Sequence, residues 1–269
     1  MLAHADSTEV WAAGAAYEPY VGRWSSLVAR DLIGWLGLPE RKRWLDVGCG
    51  TGALTREILS RAAPAGVVGI DPSDGFLGYA RAQTDDVRAT FRQGDAQALS
   101  FADNEFDVVV SGLVLNFIPQ PEKALAEVRR VLRPDGIAAV YVWDYAGEMQ
   151  LMRHFWDAAT ALDPKAAALD EGRRFPICKP EPLIAVLEAA GFSHAEYRAL
   201  DVPTVFQNFD DYWSPFLGGQ GPAPTYTCAL SHAQREALRE HLRATLPTER
   251  NGSIHLTARA FAVRGCRDA

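Results

Sequence analysis

Asp46, Gly48, Gly50, Gly52 and Asp71 are the residues whose types and spacing point first to chemistry: a carboxylate directly before a glycine-rich turn, then a second carboxylate about twenty residues on. Glycines accept positive φ, so the backbone of such a turn can come within hydrogen-bond range of a small molecule. A Walker phosphate loop needs GxxxxGK followed by Ser or Thr, which this turn lacks. The dinucleotide fingerprint G-x-G-x-x-G/A is formally met by Gly48, Gly50 and Ala53, with Asp71 as the downstream acid. Asp46 speaks against a nicotinamide or flavin dinucleotide. A pyrophosphate at a helix N-terminus wants positive potential, and a carboxylate there repels it. A cationic, diol-bearing ligand suits this ring of carboxylates better; a nicotinamide oxidoreductase stays as the weaker alternative.

The elements that must position these residues follow from hydrophobic periodicity. RWLDV ends in the turn, and Leu54, Ile58 and Leu59 continue with helical spacing. GVVGID is a second buried strand closed by Asp71, and TFRQGD and FDVVVSGLVL give a third and a fourth. PEKALAEVRRVLRPDG places Leu125, Val128 and Leu132 on one helical face and is stopped by Pro134 and Gly136; GIAAVYVWD is the fifth strand. Continuous apolar strands alternating with helices predict a doubly wound α/β fold, Rossmann-like, with a seven-stranded, mostly parallel sheet and helices on both faces. A helical or loop cap then covers the cleft.

We divide one domain, 1–269, into an N-terminal helical lid (1–40), a core (41–145), a cap insertion (146–180), helical in GEMQLMRHFWDAATAL and loop-rich in DPKAAALDEGRRFPICKP, and a C-terminal half of the sheet (181–269) with a loop over 207–230. EPLIAVLEAAGF reads as a helix with Pro182 in its first turn and Gly191 as its stop. SHAQREALREHLRATL opens with Ser231 and Gln234 at capping-box positions.

Composition bounds the function. The 269 residues carry 27 Lys and Arg against 34 Asp and Glu, a net charge of −7, which argues against a protein that grips a nucleic-acid backbone. The four cysteines, Cys49, Cys178, Cys228 and Cys266, form no CxxC pair and share no metal-ligand spacing with histidine, so we expect no metal and a reduced, cytoplasmic setting. No run approaches membrane-spanning length, and the first twenty residues lack the pattern of a secretory signal.

LDVGCGTG, with its acid before the glycines, resembles the first signature motif of the class I S-adenosylmethionine-dependent methyltransferases. Further stations of that family follow in order. Asp71 in VVGIDPS matches the acid that takes both ribose hydroxyls, and Asp95 and Ala96 in QGDAQALSF match the acid and amide that read the adenine edge. FDVVVSGLVLNFI and RVLRPDGIAAVYVWD resemble the fourth strand and the following helix and strand. The flavour is of the small-molecule branch that includes the ubiquinone and menaquinone biosynthesis methyltransferases. Many relatives carry histidine where LVLNFI has Asn116, so substrate choice does not transfer.

The resemblance implies S-adenosyl-L-methionine as cofactor and S-adenosyl-L-homocysteine as product. It places at the cofactor Asp46, Gly48, Cys49, Gly50, Gly52, Asp71, Pro72, Ser73, Gly94, Asp95, Ala96 and Ser111. In related enzymes an N-terminal segment folds over the cofactor. In AAYEPYVGRWSSLVARDLIGWL, helical from about Ser25, Tyr17 or Tyr20 would then face the sulfonium and Arg23 would pair with the methionine carboxylate. A non-catalytic cofactor-binding protein and a protein methyltransferase stay as alternatives.

Methyl transfer from a sulfonium is an in-line displacement that needs alignment more than catalytic groups. If the acceptor needs a base, Asp144, Tyr145 and His154 are the candidates. Asn116 and Phe117 are placed to line the methyl-transfer chamber. Trp143, Tyr145 and Trp213 are candidate substrate contacts within an aromatic group that also includes Phe155, Trp156, Tyr212 and Phe216. That group suggests an apolar or planar acceptor, or it fastens the cap to the core.

Overall fold

The computed structural model describes residues 21–218 and 221–269. Among them one sheet of seven strands runs through the molecule: β1 (Arg43–Val47), β2 (Gly66–Asp71), β3 (Ala89–Gln93), β4 (Phe106–Gly112), β5 (Leu132–Trp143), β6 (Ser193–Phe206) and β7 (Ile254–Cys266). Their spatial order is β3-β2-β1-β4-β5-β7-β6. β1 to β5 pair in parallel, and β7 inserts antiparallel between β5 and β6. The chain winds outward from β1 to β3, then returns to β4 on the other side of β1. The carboxyl ends of β1 and β4 thus flank the point where strand order reverses, where open α/β sheets leave a ligand crevice.

Most of the longer helices are amphipathic and bury one stripe each. α1 (Arg23–Leu36) sinks Trp24, Val28, Leu32 and Ile33 and packs on α2 (Ala53–Arg61), β6 and β7. It is a structural layer of the core as well as a border of the cleft, where Val21 and Ser25 lie. α3 (Asp74–Ala82) is capped by Ser73, whose hydroxyl accepts from Phe76 N–H at 3.3 Å. α4 (Pro121–Val131) ends at Val131 and passes without a turn into β5, which contains Pro134 and Gly136. Pro134 disfavours helical Arg133 and Leu132 is already extended, so the helix stops earlier than its apolar periodicity suggests.

GEMQLMRHFWDAATAL forms the helix its pattern implies, and the loop-rich stretch after it, 163–180, holds a 3₁₀ turn and one short helix. α5 (Gln150–Leu162) is followed by a 3₁₀ turn, then α6 (Glu171–Arg174) and α7 (Pro180–Ala189). Gly191 stops α7 at φ +84°, as its position implies. The 207–230 segment likewise holds α8 (Phe209–Trp213), a 3₁₀ turn and α9 (Pro222–Ala229). Apolar surface from Phe209, Tyr212, Trp213 and Phe216 is buried there, which orders a stretch whose Gly and Pro content reads as irregular. α10 (His232–Thr245) begins with the capping box of Ser231 and Gln234. No helix among the described residues is long and apolar enough to cross a membrane.

Candidate active site

The turn between β1 and α2 is built around three residues with positive φ: Gly48 at +72°, Gly50 at +51° and Gly52 at +83°. Gly48 needs its missing side chain for a second reason. A Cβ there would stand 2.7 Å from both γ-methyls of Val114, so the β1 turn and the segment after β4 touch through bare backbone.

Two carboxylates hold this turn in place. Asp71, at the end of β2, accepts Gly50 N–H on Oδ2 at 3.0 Å and Ser73 N–H on Oδ1 at 2.9 Å. Burial nevertheless raises its pKa, the two backbone donors opposing that rise. Asp46, at the end of β1, is 1% exposed and accepts the Thr55 hydroxyl on Oδ2 at 2.6 Å. Its Oδ1 is buried without a hydrogen-bond partner among the described residues. Desolvation pushes Asp46 up to about 7, the Thr55 bond opposing and the nearby Asp71 charge adding. The Cys49 thiol beside them is pushed far up by burial and stays protonated.

These residues line one cleft of about 240 Å³. Asp46, Gly48, Cys49, Gly50, Asp71, Pro72 and Ser73 form its polar half, and Gly52 supports the turn behind it. Phe117, Tyr141, Trp143, Tyr145 and Met152 form an aromatic and apolar half. Leu113, also at the cleft, takes φ +64° while its N–H donates to Tyr141 O at 2.7 Å; a leucine held there is a strained residue at the site's edge.

The structure places the other sequence-derived candidates elsewhere. Gly94 and Asp95 border a separate small hollow under Ile70, Ala96 follows them on the same loop, and Gly94 N–H donates to Asp71 O at 3.2 Å. Ser111 is buried in β4 and Asn116 lies in the 3₁₀ turn that carries Phe117; neither lines the cleft, and their polar side-chain atoms are buried without partners among the described residues. Arg23 faces away: its guanidinium pairs with Asp211 at 2.9 Å and stands over the rings of Trp24 and Phe206. Tyr17 and Tyr20 lie outside the described residues.

Of the three candidate bases, Tyr145 borders the cleft, whereas Asp144 caps the following turn, its Oδ2 accepting Glu148 N–H at 2.9 Å. His154 sits half-buried on α5 away from the cleft, and burial lowers its pKa. Among the aromatic candidates Trp143 reaches the cleft. Trp213 stacks near Phe209, and Phe155 stacks on Phe216 at 4.5 Å, so these rings fasten the cap. Tyr212 belongs with them, its hydroxyl donating to Leu151 O at 2.9 Å.

Glu171 is the cleft residue that sequence reading missed. It is 1% exposed, accepts the indole N–H of Trp156 on Oε2, and has Oε1 buried without a partner among the described residues. Burial raises it to about 7, with the Trp156 bond opposing. In sequence it is one acid of a polar run, LDEGRR, with no period to mark it as internal.

Fold and site together define a doubly wound α/β protein with an acid-lined, phosphate-averse cleft at its topological switch point. Comparisons with known proteins narrow the class. A family model described as a methyltransferase domain matches residues 45–140. The 2-methyl-6-phytyl-1,4-hydroquinone methyltransferase of Synechocystis sp. is 33% identical over 187 residues, 68% of this chain and 57% of that protein. The ubiquinone/menaquinone biosynthesis C-methyltransferase of Dinoroseobacter shibae is 31% identical over 185 residues, 63% of this chain and 73% of that one. The chain thus spans a little over half the length of the first of these relatives. Phosphoethanolamine N-methyltransferase 2 of Haemonchus contortus, solved in complex with S-adenosyl-L-methionine, shares the fold with a TM-score of 0.60 at 18% identity, over 95% of this chain and 56% of that one. The chain belongs to the methyltransferase-domain family.

Proposed function

We propose that this protein moves a methyl group from S-adenosyl-L-methionine to a small apolar or aromatic acceptor, releasing S-adenosyl-L-homocysteine. The observation that carries the reading is Asp46: a buried carboxylate, one oxygen held by Thr55 and the other without a partner among the described residues, lining the same cleft as Asp71 and the glycine turn. Such a group calls for a cationic partner, because an unpaired buried carboxylate is costly. The ligand's ammonium fits that need, and its lack of phosphate suits two neighbouring acids.

Asp71 would take the ribose diol while keeping Gly50 and Ser73 in place, since a carboxylate offers about four acceptor positions. Asp95 and Ala96 lie outside the cleft at a neighbouring hollow, and the Gly94 N–H bond to Asp71 O supports the reading that their loop would meet the adenine edge from there. When bound, S-adenosylmethionine supplies a methyl carbon made electrophilic by its sulfonium. The protein's own part is to hold an acceptor in line, walled by Phe117, Tyr141, Trp143, Tyr145 and Met152. Relatives named for hydroquinone and quinone substrates support a planar acceptor.

Calorimetric titration with S-adenosylmethionine, S-adenosylhomocysteine and NAD⁺ tests the reading, with binding of the first two expected. Binding of NAD⁺ and of neither of the others overturns it. A panel of phenols, quinones, amines and carboxylic acids, scored by the mass gain of one methyl group, then separates an enzyme from a protein that binds the cofactor without turnover.

A further inference from the structure

Glu171 is an acid in a place where acids are rarely kept. It lines the aromatic half of the cleft with Phe117, Tyr145 and Met152, is almost wholly buried, and among the described residues has no cation bonded to its carboxyl. Its neighbours explain how it is held there. Asp170, next in the chain, is neutralised by Arg153, which donates to its two oxygens at 3.0 and 2.9 Å. Arg174 on the same short helix stands over the Phe175 ring and attracts the Glu171 charge weakly. From α5 comes Trp156, donating to Oε2; from β5 and the turn after it come the Tyr141 and Tyr145 phenols; across the cleft lie Asp46 and Asp71. Oε1 has no hydrogen-bond partner among the described residues.

We propose that Glu171 accepts the hydroxyl hydrogen, and then the proton, of a phenolic methyl acceptor bound in this aromatic chamber. The inference rests on the methyltransferase reading above and adds the acceptor's class and the residue that meets it. A neutral planar phenol suits apolar walls better than an ammonium, and its single O–H would meet Oε1, the oxygen left without a bond among the described residues. The step balances. The phenol proton goes to Glu171 Oε1, an oxygen lone pair forms the bond to the methyl carbon, and the S–C bonding pair stays on sulfur as a neutral thioether. A sulfonium and a carboxylate are consumed, and a carboxylic acid and a methyl ether result. The acid returns its proton to water when product leaves.

A buried carboxyl poised near 7 can change protonation state in the working range, which an exposed glutamate near 4.3 cannot.

The test uses the full chain saturated with S-adenosylhomocysteine and titrated with 4-nitrophenol, whose ionisation is visible by absorbance. The wild type should bind the probe, and Glu171→Gln should bind it at least tenfold more weakly, with S-adenosylhomocysteine affinity unchanged. Trp156→Phe, which keeps the carboxyl and removes its anchor, should fall between the two. Equal probe affinity in wild type and Glu171→Gln overturns the inference, as does a wild type that binds S-adenosylhomocysteine and ignores the probe. Should Glu171→Gln fail to fold, the comparison passes to Trp156→Phe, where affinity equal to wild type counts against the proposal. Failure of the wild type to bind S-adenosylhomocysteine instead removes the methyltransferase reading itself.

Discussion

The Thr55 hydroxyl donates to Asp46 Oδ2 at 2.6 Å, across the glycine turn that separates them in sequence, and leaves Asp46 Oδ1 buried with no partner among the described residues. One oxygen is structural, and under the proposed function the other would meet the ligand's ammonium. The carboxylate, not the acid, attracts an ammonium. Because burial raises Asp46 to about 7 in the ligand-free protein, cofactor affinity should weaken as pH falls through that value. Asp46→Asn should bind S-adenosylmethionine more weakly by about 2 kcal/mol and lose this pH dependence. Calorimetry at pH 6 and pH 8 on both proteins decides it, and an unchanged pH dependence in Asp46→Asn would remove Asp46 from the cationic end.

Asp71 ties Gly50 and Ser73 to the end of β2. Asp71→Ala should weaken cofactor binding by about 2 kcal/mol, roughly thirtyfold, through lost charge-assisted bonds to the diol and a loosened turn. Titration with adenosine separates the two causes. A loss of the same size for adenosine, which shares the diol, places the effect at the ribose.

Gly48→Ala combines a strained φ of +72° with a Cβ 2.7 Å from Val114, so unfolding free energy should fall by about 2 kcal/mol or more. Val114→Ala in the same chain should recover the steric part and leave the dihedral part. A denaturant double-mutant cycle measures the coupling; purely additive losses would show that the contact is not what glycine is needed for.

Asp46 and Glu171 have folded-state pKa values near 7, above the values near 4 of the unfolded chain. Between pH 4 and 7 the native state therefore binds more protons than the unfolded one, and the slope of stability with pH from these groups is negative. Their stabilising share is complete below about pH 4 and is lost as pH rises to 7. Urea midpoints at pH 5 and pH 8 should show that Asp46→Asn/Glu171→Gln loses less stability across this window than wild type. Parallel pH curves would refute the shifts.

Arg23 is held by Asp211, Trp24 and Phe206, outside the cleft. Arg23→Ala should lower stability by about 1 kcal/mol, from a half-exposed ion pair and two cation–π contacts, and leave S-adenosylhomocysteine affinity within twofold of wild type. A tenfold affinity loss would return Arg23 to the methionine carboxylate.

What the sequence determined by itself is what local rules encode. A strand must end where an acid and three glycines follow, because few other residues accept the φ of 48, 50 and 52; Ser231 and Gln234 cap a helix because their spacing closes two backbone donors. Asp46 and Asp71 were legible for the same reason, each being fixed to a strand end that periodicity marks. Tertiary structure decided the aromatic half of the cleft. Whether Trp143 or Trp213 reaches it, or Arg23 turns to it, depends on which face of a helix or cap segment meets the sheet, and no short-range pattern carries that. Glu171 shows the limit most clearly: its neighbours in sequence are charged and polar, and its isolation from water arises from α6 docking against α5 and the turn after β5, contacts that no helical or strand period carries.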